Sequence, residues 1–580
     1  MISDGLHAQV TAWMADDPDE GDRAELAALL READRPGTDE ETLHAAADLA
    51  DRFAARLVFG TAGLRGAIGA GPNRMNRAVV RATTAALASW LLYVDAGAAD
   101  TGVVIGCDAR HRSDEFAAEA AMVLAGADIR VHLLPPRQPT PLLAYAVTHL
   151  RAAAGIMITA SHNPPGDNGY KLYLSDGAQI VPPADLEIEA AIKTLGPLSH
   201  VPVAPIGDPL IIRHTGEIAA DYLDAVCSLS PAPRGAAWLR YIYTPLHGVA
   251  GDLAMRAFDQ AGFPPPDLVE AQAQPDPDFR TVAFPNPEEP GTLDLALAQA
   301  RRSGADLVLA NDPDGDRLAV AVPDDAAPGG WRMLTGDQVG ALLGAYLLGL
   351  EGSATGRGGA HAASPLEQPL VVTTIVSSSM LSSIAAAAGA SYAETLTGFK
   401  WIARAGDLRP EVRFIFGYEE ALGYSIGTTV RDKDGIGAAL AVLSLAARAR
   451  SGGESLLEAY DALEVAHGVH LTGQLTVATT APVHVMSRLR VTAPTGLAGE
   501  PITSISDLTG GTGNLPSADV LRYRLRGARV VIRPSGTEPK IKAYLEVVEP
   551  VIAGRLTEAR RAARARMDPL REAVRALLDG

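Results

Sequence analysis

The loop "TASHNPPGDNGYK", from Thr159 to Lys171, displays a single serine, Ser161, among prolines, glycines and a final lysine. Prolines and glycines fix tight turns, so this loop has a defined shape. It follows the apolar stretch "AAGIMI", which predicts a buried strand that ends just before the serine. A linker would need neither the rigidity nor the lysine. We therefore interpret Ser161 as a residue that carries a chemical group.

Three carboxylates alternate in a second loop, "NDPDGDR", at Asp312, Asp314 and Asp316. Carboxylates this close repel one another unless a cation neutralises them, and their hard oxygens favour Mg²⁺ or Ca²⁺. An EF-hand does not fit, because it would place a glycine after the third acidic residue and a glutamate further on. A solvated acidic turn is the alternative, but the flanking stretches are apolar. We predict a magnesium site that keeps positions open for phosphate oxygens.

A third region combines "TLTGFK", which ends at Lys400, with "GYEEALGYSIGTTVRDKDG", from Gly417 to Gly435. Carboxylates such as that of Glu419 accept hydrogen bonds from neighbouring hydroxyls, as sugar binding requires. A helix N-terminus, which favours acidic residues, is the alternative. It would explain one glutamate but leaves the nearby glycines and basic residues unexplained. The region predicts a site that binds sugar hydroxyls.

The fourth loop is "RPSGTEPKIK", from Arg533 to Lys542. Arginine binds phosphate with two parallel hydrogen bonds, and the N–H groups of a tight loop complete an anion site. An ordinary hairpin turn is the alternative, since Pro-Ser-Gly favours turns. Together the four loops predict phosphoryl transfer. A serine hydroxyl is a weak nucleophile, but a serine that carries a phosphoryl group is a good donor.

Strands that alternate with helices must position these loops. The pattern predicts three similar α/β domains with mixed, largely parallel sheets, followed by a C-terminal α+β domain. Because ligands bind beyond the carboxyl ends of strands, we expect the loops to meet in one central cleft. Residues 351–368 predict a surface insertion. The predicted domains are 1–207 with the phosphoserine loop, 208–325 with the metal loop, 326–468 with the sugar loops and 469–580 with the phosphate loop.

The composition of the chain limits the classes of partner that it can bind. The 580-residue chain carries a formal charge of −19, which argues against nucleic-acid binding because that needs a basic face. Two cysteines without a CxxC motif fit a reducing cytoplasm. The acidic start does not predict a signal peptide, and the most apolar stretch, Val339 to Leu350, is too short to span a bilayer. We expect a cytoplasmic monomer or weak homodimer that binds a small-molecule sugar phosphate and neither nucleic acid nor membrane.

Five motifs in chain order carry a family resemblance: "GTAGLRG", "TASHNPPGDNGYK", "NDPDGDR", "GYEEALGYSIGTTVRDKD" and "RPSGTEPKIK". The chain resembles the alpha-D-phosphohexomutase superfamily over nearly its full length, and "TLTGFKWI" is similar to the long phosphoglucomutase/phosphopentomutase branch. The resemblance implies four domains around a deep cleft, the last with a TATA-box-binding-protein-like fold. It also implies a resting phosphoserine, one Mg²⁺ and a bisphosphorylated sugar intermediate.

The resemblance also implies roles for individual residues. Ser161 is the phosphoserine and, with the three aspartates, a ligand of Mg²⁺. Arg65 and Lys171 flank the transferring phosphoryl group, and Arg317 steadies the phosphoserine. Lys171 is a candidate acid/base, and His162 is a second candidate. The implied sugar-binding residues are Gly398, Phe399, Lys400, Glu419 and Ser425, and the implied phosphate-binding residues are Arg533, Ser535, Gly536, Thr537 and Lys542.

The sequence leaves the identity of the substrate sugar open. The family usually has a hydroxyl where this chain has Ala421, which bears on substrate identity and not on the reaction. The leading hypothesis is a mutase that interconverts glucose 1-phosphate and glucose 6-phosphate through glucose 1,6-bisphosphate. Mannose or pentose phosphates are alternatives with the same machinery. A metal-dependent phosphatase that uses a phosphoserine and a catalytically inactive sugar-phosphate sensor are more remote.

Overall fold

The computed structural model describes residues 2–37, 39–58, 63–233, 235–354, 367–513, 515–535 and 540–579. The chain begins with three helices whose first turns are capped by the side chains of Ser3, Asp19 and Asp39. These helices bury a small apolar core of their own around Val10 and Leu26. They are α1 (Asp4–Asp16), α2 (Glu20–Ala33) and α3 (Glu40–Arg52).

The first α/β unit is a six-stranded sheet in the order β1-β5-β4-β2-β3-β6. Its central strands β2 and β4 are apolar, fully buried and parallel, and β5 pairs antiparallel with β4. The Ser161 loop joins β4 to β5. The elements are β1 (Leu64–Ala67), α4 (Arg77–Val94), α5 (Ala98–Thr101), β2 (Val103–Cys107), α6 (Ser113–Gly126), β3 (Val131–Leu133), α7 (Thr140–His149), β4 (Ala154–Ile158), β5 (Asp167–Leu174), α8 (Ala184–Thr194) and β6 (Ile211–Arg213).

The second unit is a five-stranded sheet in the order β11-β10-β9-β7-β8. The strands β9 and β10 are antiparallel neighbours, so the short loop between them presents the three aspartates at the sheet edge. The elements are α9 (Glu217–Leu229), β7 (Tyr241–Thr244), α10 (Gly251–Ala261), β8 (Asp267–Leu268), α11 (Asp294–Ser303), β9 (Leu307–Asn311), β10 (Leu318–Pro323) and β11 (Trp331–Met333).

The third unit is a four-stranded sheet in the order β13-β12-β14-β15. The β14–β15 hairpin carries the two glutamates, and the short helix α14 follows β13 with the second sugar loop. The predicted insertion falls between α12 and β12, and its residues 355–366 lie outside the described residues. The elements are α12 (Gly336–Ala354), β12 (Gln368–Thr374), α13 (Met380–Ala388), β13 (Ser391–Thr395), α14 (Phe399–Ile402), β14 (Val412–Glu419), β15 (Gly423–Ile426), α15 (Gly435–Ser451) and α16 (Leu456–His467).

The fourth unit is a five-stranded antiparallel sheet in the order β16-β22-β21-β20-β19, covered by the long helix α18. Buried residues of α18 recur every three or four positions, from Ala559 to Leu578, as one helix face requires. The elements are β16 (Val469–Ala478), α17 (Pro482–Val491), β17 (Gly496–Leu497), β18 (Glu500–Pro501), β19 (Ser504–Asp507), β20 (Leu521–Leu525), β21 (Ala528–Pro534), β22 (Lys540–Glu549) and α18 (Leu556–Asp579).

The predicted fold class is confirmed: three α/β units with mixed sheets precede an α+β unit. The first sheet continues to Arg213 through β6, six residues past the predicted boundary at 207, because β6 pairs with β3. Likewise β11 extends the second sheet to Met333. One apolar core runs through the first three units, each of which also has a core of its own, and a separate core fills the fourth. No helix in the described ranges has both the length and the apolar character needed to cross a membrane.

Candidate functional site

Ser161 lies three residues after the end of β4, where its backbone adopts a left-handed conformation with φ of 52°. Its side chain is almost fully buried at the junction of the first two units. The hydroxyl donates a hydrogen bond of 2.9 Å to Oδ2 of Asp312, and it lies 3.2 Å from Nδ1 of His162. The serine that the sequence singles out therefore contacts the predicted metal loop.

Asp312, Asp314 and Asp316 are buried, and one carboxylate oxygen of each lies within 4.8 Å of the others. Burial and the negative charges of the other two raise the pKa of Asp312 well above its ordinary value. Within the described part of the chain, Oδ1 of Asp314 and Oδ1 of Asp316 are buried without a hydrogen-bond partner. Buried, unpartnered carboxylate oxygens are the donors that Mg²⁺ takes, so these three residues fit the predicted metal.

Two buried lysines, one from the first unit and one from the third, contact the aspartates. Nζ of Lys171 lies 2.6 Å from Oδ2 of Asp314 and 3.0 Å from Oδ2 of Asp316. Nζ of Lys433, from the third unit, lies 3.1 Å from the same oxygen of Asp316. Burial alone would lower the pKa of each lysine, but the facing carboxylates outweigh it and raise both pKa values. Both ammonium groups are therefore charged.

Three further predicted residues surround the serine. Arg65 donates from Nη1 to Oδ1 of Asn163 at 2.8 Å, within the serine loop. The backbone N–H of Arg317 donates to Oδ1 of Asp312 at 2.9 Å. Burial, followed by the positive charges of Arg317 and Arg65, lowers the pKa of His162 well below its ordinary value. The His162 imidazole is therefore neutral.

The sugar loops lie beside this cluster. An isolated β-bridge pairs Arg317 with Gly423 and so joins the metal loop to the β14–β15 hairpin. Burial raises the pKa of Glu419 at the end of β14, although Lys433 and Arg317 oppose the rise. Burial and the neighbouring charge of Glu419 raise the pKa of Glu420 to about 7.

The second sugar loop turns at Gly398, whose φ of 107° favours glycine, and places Phe399 and Lys400 on α14. Burial lowers the pKa of Lys400. Nζ of Lys433 lies 5.7 Å from the centre of the Phe399 ring, so α14 borders the same cluster of charges. The hydroxyl of Ser425 donates inside its own loop, to the carbonyl oxygens of Gly427 and Val430. A sugar contact at Ser425 stays a prediction.

The predicted phosphate loop joins β21 to β22. Arg533 and Lys542 are paired across these strands, and the N–H of Ser535 donates to the carbonyl of Lys540 at 2.9 Å. Gly536 and Thr537 lie outside the described residues, so their predicted contacts stay predictions. Burial raises the pKa of Glu288, a residue of the second unit, while the positive charges of Arg317 and Lys542 oppose that rise. Glu288, which Nη1 of Arg317 approaches to 3.7 Å, therefore lies close enough to both Arg317 and Lys542 to feel their charges.

Three residues of the site, Lys433, Glu288 and Arg110, have no role in the sequence-based predictions. Lys433 lies in the quoted motif "RDKDG", two residues before α15, and its position between two aspartates, Asp432 and Asp434, is the signal that could have identified it. Glu288 and Arg110 come from stretches without a recognisable motif, and only their contacts in the folded chain connect them to the site.

Comparisons with known proteins identify the family of this chain. Models of the phosphoglucomutase/phosphomannomutase family match residues 56–197 with α/β/α domain I, 220–327 with domain II, 335–464 with domain III and 487–563 with the C-terminal domain. The described site lies within these matches. The protein is thus of the phosphohexomutase class of isomerases. The chain belongs to the phosphoglucomutase/phosphomannomutase family, as the resemblance predicted.

Several relatives are similar over most of their length. A probable phosphomannomutase of Haemophilus influenzae is 39% identical over 81% of this chain and 93% of its own. A probable phosphoribomutase of Schizosaccharomyces pombe is 36% identical over 93% of both chains. A phosphoglucomutase of Staphylococcus epidermidis is 34% identical over 85% of this chain and 90% of its own. The solved structure of a putative phosphomannomutase from Thermus thermophilus superposes with a TM-score of 0.65 and 25% identity, over 91% of this chain and all of that one.

Proposed function

We propose that this protein is a phosphosugar mutase that interconverts glucose 1-phosphate and glucose 6-phosphate through a phosphoserine at Ser161. The observation that carries the proposal is the 2.9 Å contact between the Ser161 hydroxyl and Asp312, inside a cluster of three carboxylates and two lysines. A serine placed there can hold a phosphoryl group among charges of both signs. The family membership supports the same reaction class.

The first half-reaction moves a phosphoryl group from Ser161 to a sugar monophosphate. The bond between phosphorus and the serine Oγ breaks, a bond to the free sugar hydroxyl forms, and the hydroxyl proton passes to a base. Charged Lys171 orients the phosphoryl oxygens and can protonate the departing serine oxygen, and neutral His162 lies 3.2 Å from that oxygen, within hydrogen-bond distance. Mg²⁺ held by the three aspartates would neutralise negative charge on the transferring group.

The second half-reaction returns the other phosphate to Ser161. The bisphosphorylated sugar, glucose 1,6-bisphosphate for a glucose substrate, must turn around so that its second phosphate faces the serine. Glu419 can accept hydrogen bonds from sugar hydroxyls in either orientation. Arg533 and Lys542 bind the phosphate that is not reacting. A phosphatase would have no need of that second phosphate site, which favours a mutase.

A pentose phosphate is the second candidate substrate. Ala421 lacks the hydroxyl that usually follows the two glutamates, and the Schizosaccharomyces pombe relative named a probable phosphoribomutase aligns over 93% of both chains. The name of the Haemophilus influenzae relative suggests mannose as a third. The glucose assignment is supported by the Staphylococcus epidermidis relative.

The test is the turnover of glucose 1-phosphate, mannose 1-phosphate and ribose 1-phosphate by the purified protein with Mg²⁺ and the matching bisphosphate. We expect the largest kcat/KM for glucose 1-phosphate, with the sugar 6-phosphate as product and no free phosphate. A larger kcat/KM for ribose 1-phosphate would replace the sugar assignment but keep the reaction. Release of free phosphate in step with substrate loss would contradict the mutase proposal itself.

A further inference from the structure

Arg110 lies just after β2, in the stretch "GCDARHRS", and its side chain is almost completely buried. Its guanidinium donates to four backbone carbonyls of the Ser161 loop. The acceptors are the carbonyl oxygens of Ser161 at 2.6 Å, Asn163 at 2.6 Å, Pro164 at 2.7 Å and Asp167 at 3.2 Å. One side chain therefore gathers most of the loop around a single planar group.

Asp108, two residues earlier, holds the other side of the loop. Its carboxylate accepts from the Thr159 hydroxyl at 2.6 Å, the Ser113 hydroxyl at 2.7 Å and the N–H of Arg110 at 3.0 Å. The Thr159 hydroxyl in turn accepts from the N–H of Ser161 at 2.9 Å. The serine is thus bonded through its N–H to the Asp108 side and through its carbonyl to Arg110.

These bonds act on a backbone that would not adopt its conformation unaided. Ser161 has a φ of 52°, which is unfavourable for a residue with a Cβ atom and persists only where the surroundings enforce it. In this conformation the hydroxyl reaches Asp312 in the second unit. The Arg110 guanidinium also lies 5.0 Å from the centre of the Phe279 ring, so the second unit covers the group that shapes the loop.

We propose that Arg110, together with Asp108 and Thr159, is the positioning unit that aims Ser161 at the metal loop. The proposal rests on the proposed function, because it assigns a role toward the phosphoserine. The three side chains act on the backbone of the serine loop, and the residues that bind sugar and distal phosphate lie on other loops. Their loss should therefore slow the chemical step more than it weakens substrate binding.

The first test is Arg110→Lys. A lysine keeps the positive charge beside Asp108 but cannot donate to four carbonyls in fixed directions. We expect kcat to fall by about 100-fold, as misplaced reacting groups cause, while KM changes by less than roughly threefold because the binding residues are untouched. The matched control is Arg112→Lys, because Arg112 pairs with Asp22 and Glu115 and makes no contact with the loop in the described structure.

A second pair of variants separates positioning from folding. Thr159→Val removes the hydroxyl that links Ser161 to Asp108, whereas Thr159→Ser retains it. We expect Thr159→Val to lower kcat by at least about tenfold and Thr159→Ser to restore near-normal kcat. A merely structural role would make both variants equally active or would lower Tm and kcat together in both.

The outcomes distinguish this proposal from the proposed function. If the wild type carries phosphate on Ser161 but Arg110→Lys and Thr159→Val keep normal kcat, the positioning role is wrong and the mutase is not. The positioning role is also wrong if the control Arg112→Lys loses as much kcat as Arg110→Lys. If the wild type isomerises sugar phosphates without ever carrying phosphate on Ser161, the proposed function fails first.

Discussion

In the proposed mechanism the serine loop and the phosphate loop bind the same chemical group, yet they differ in their contacts. Ser161 itself is buried, although Pro164 and Gly166 further along its loop are exposed, and Arg110 and Thr159 fix the loop backbone from both sides. The loop after β21 is partly exposed around Arg533 and Ser535. The fixed backbone of the first loop suits a role in which one phosphoryl group is held in one geometry. In the proposed mechanism the second loop must accept either phosphate of a turning intermediate, which the charges of Arg533 and Lys542 on long side chains allow.

Removing the serine should have the largest effect on activity of all the changes proposed for the two loops. We expect Ser161→Ala to lower kcat by on the order of 10⁴-fold or more, because no group is left to carry the phosphoryl between half-reactions. Tm should stay near that of the wild type. Peptide mass mapping of the wild type should place phosphate on Ser161. Ser175→Ala, at an exposed turn after β5, is the control and should be fully active.

Removing the metal should have the next largest effect on turnover. We expect excess chelator to abolish turnover and added Mg²⁺ to restore it, because the buried carboxylates and the phosphoserine need a cation to offset their charge. Asp314→Asn should lower kcat by at least about 100-fold and raise the Mg²⁺ concentration needed for half-maximal rate. Asp325→Asn, at an exposed position after β10, should change neither. Full activity in excess chelator would contradict the metal site.

The phosphate loop should show a smaller effect of another kind. Arg533→Ala removes a charge-assisted contact worth about 2–3 kcal/mol, so kcat/KM should fall by roughly 30- to 150-fold. Unlike Ser161→Ala, this variant should release the bisphosphate intermediate, and added glucose 1,6-bisphosphate should partly restore its rate. Arg524→Ala, an exposed arginine on β20, is the control. If KM is unchanged and no intermediate is released, Arg533 does not bind the distal phosphate.

The smallest effect should come from Glu420, which lies beside the Thr374 and Ser377 hydroxyls at 3.3 and 3.1 Å. Its pKa is raised to about 7 when folded, against about 4.3 in an unfolded chain, so the folded state binds the extra proton between these values. Its contribution to stability is therefore fully present below about pH 4.3 and is lost as the pH rises toward 7.

Glu420→Gln removes this titration. The Tm of Glu420→Gln relative to the wild type should therefore rise between about pH 5 and pH 8, by an amount that corresponds to about 1–3 kcal/mol. Glu454→Gln, at an exposed position, should show no such trend. A constant difference in Tm across this pH range would show that Glu420 does not titrate there.

Much of the site was predictable because its key residues are close in sequence. The three aspartates alternate within five residues, and Ser161 stands between a buried strand and a turn-rich loop. Arg110 was not predictable in this way. Its four acceptors lie more than fifty residues away, and only the parallel pairing of β2 with β4 brings them together. Charge pairs such as Lys433 with Asp316 likewise depend on packing between units.

For the fold as well, local patterns were predictable from the sequence and long-range pairings were not. The alternation of apolar strands and helices predicted the class, but the limits of the first two sheets did not follow from local composition. β6 has only three residues and a mostly exposed surface, so its strand character comes from pairing with β3 and not from an apolar pattern. β11 is equally short and is held by β10.

The shared apolar core determines which parts of the chain unfold together. Val104, Leu309 and Leu440 belong to one continuous core although they lie in three successive units. Their burial is mutual, so none of the three units can melt without exposing the faces of the others, and they form a single cooperative block. The last unit has its own core and meets the third through a smaller cluster that includes Leu396 and Val531. Denaturant should therefore produce two transitions, and hydrogen exchange should divide the chain near residue 468.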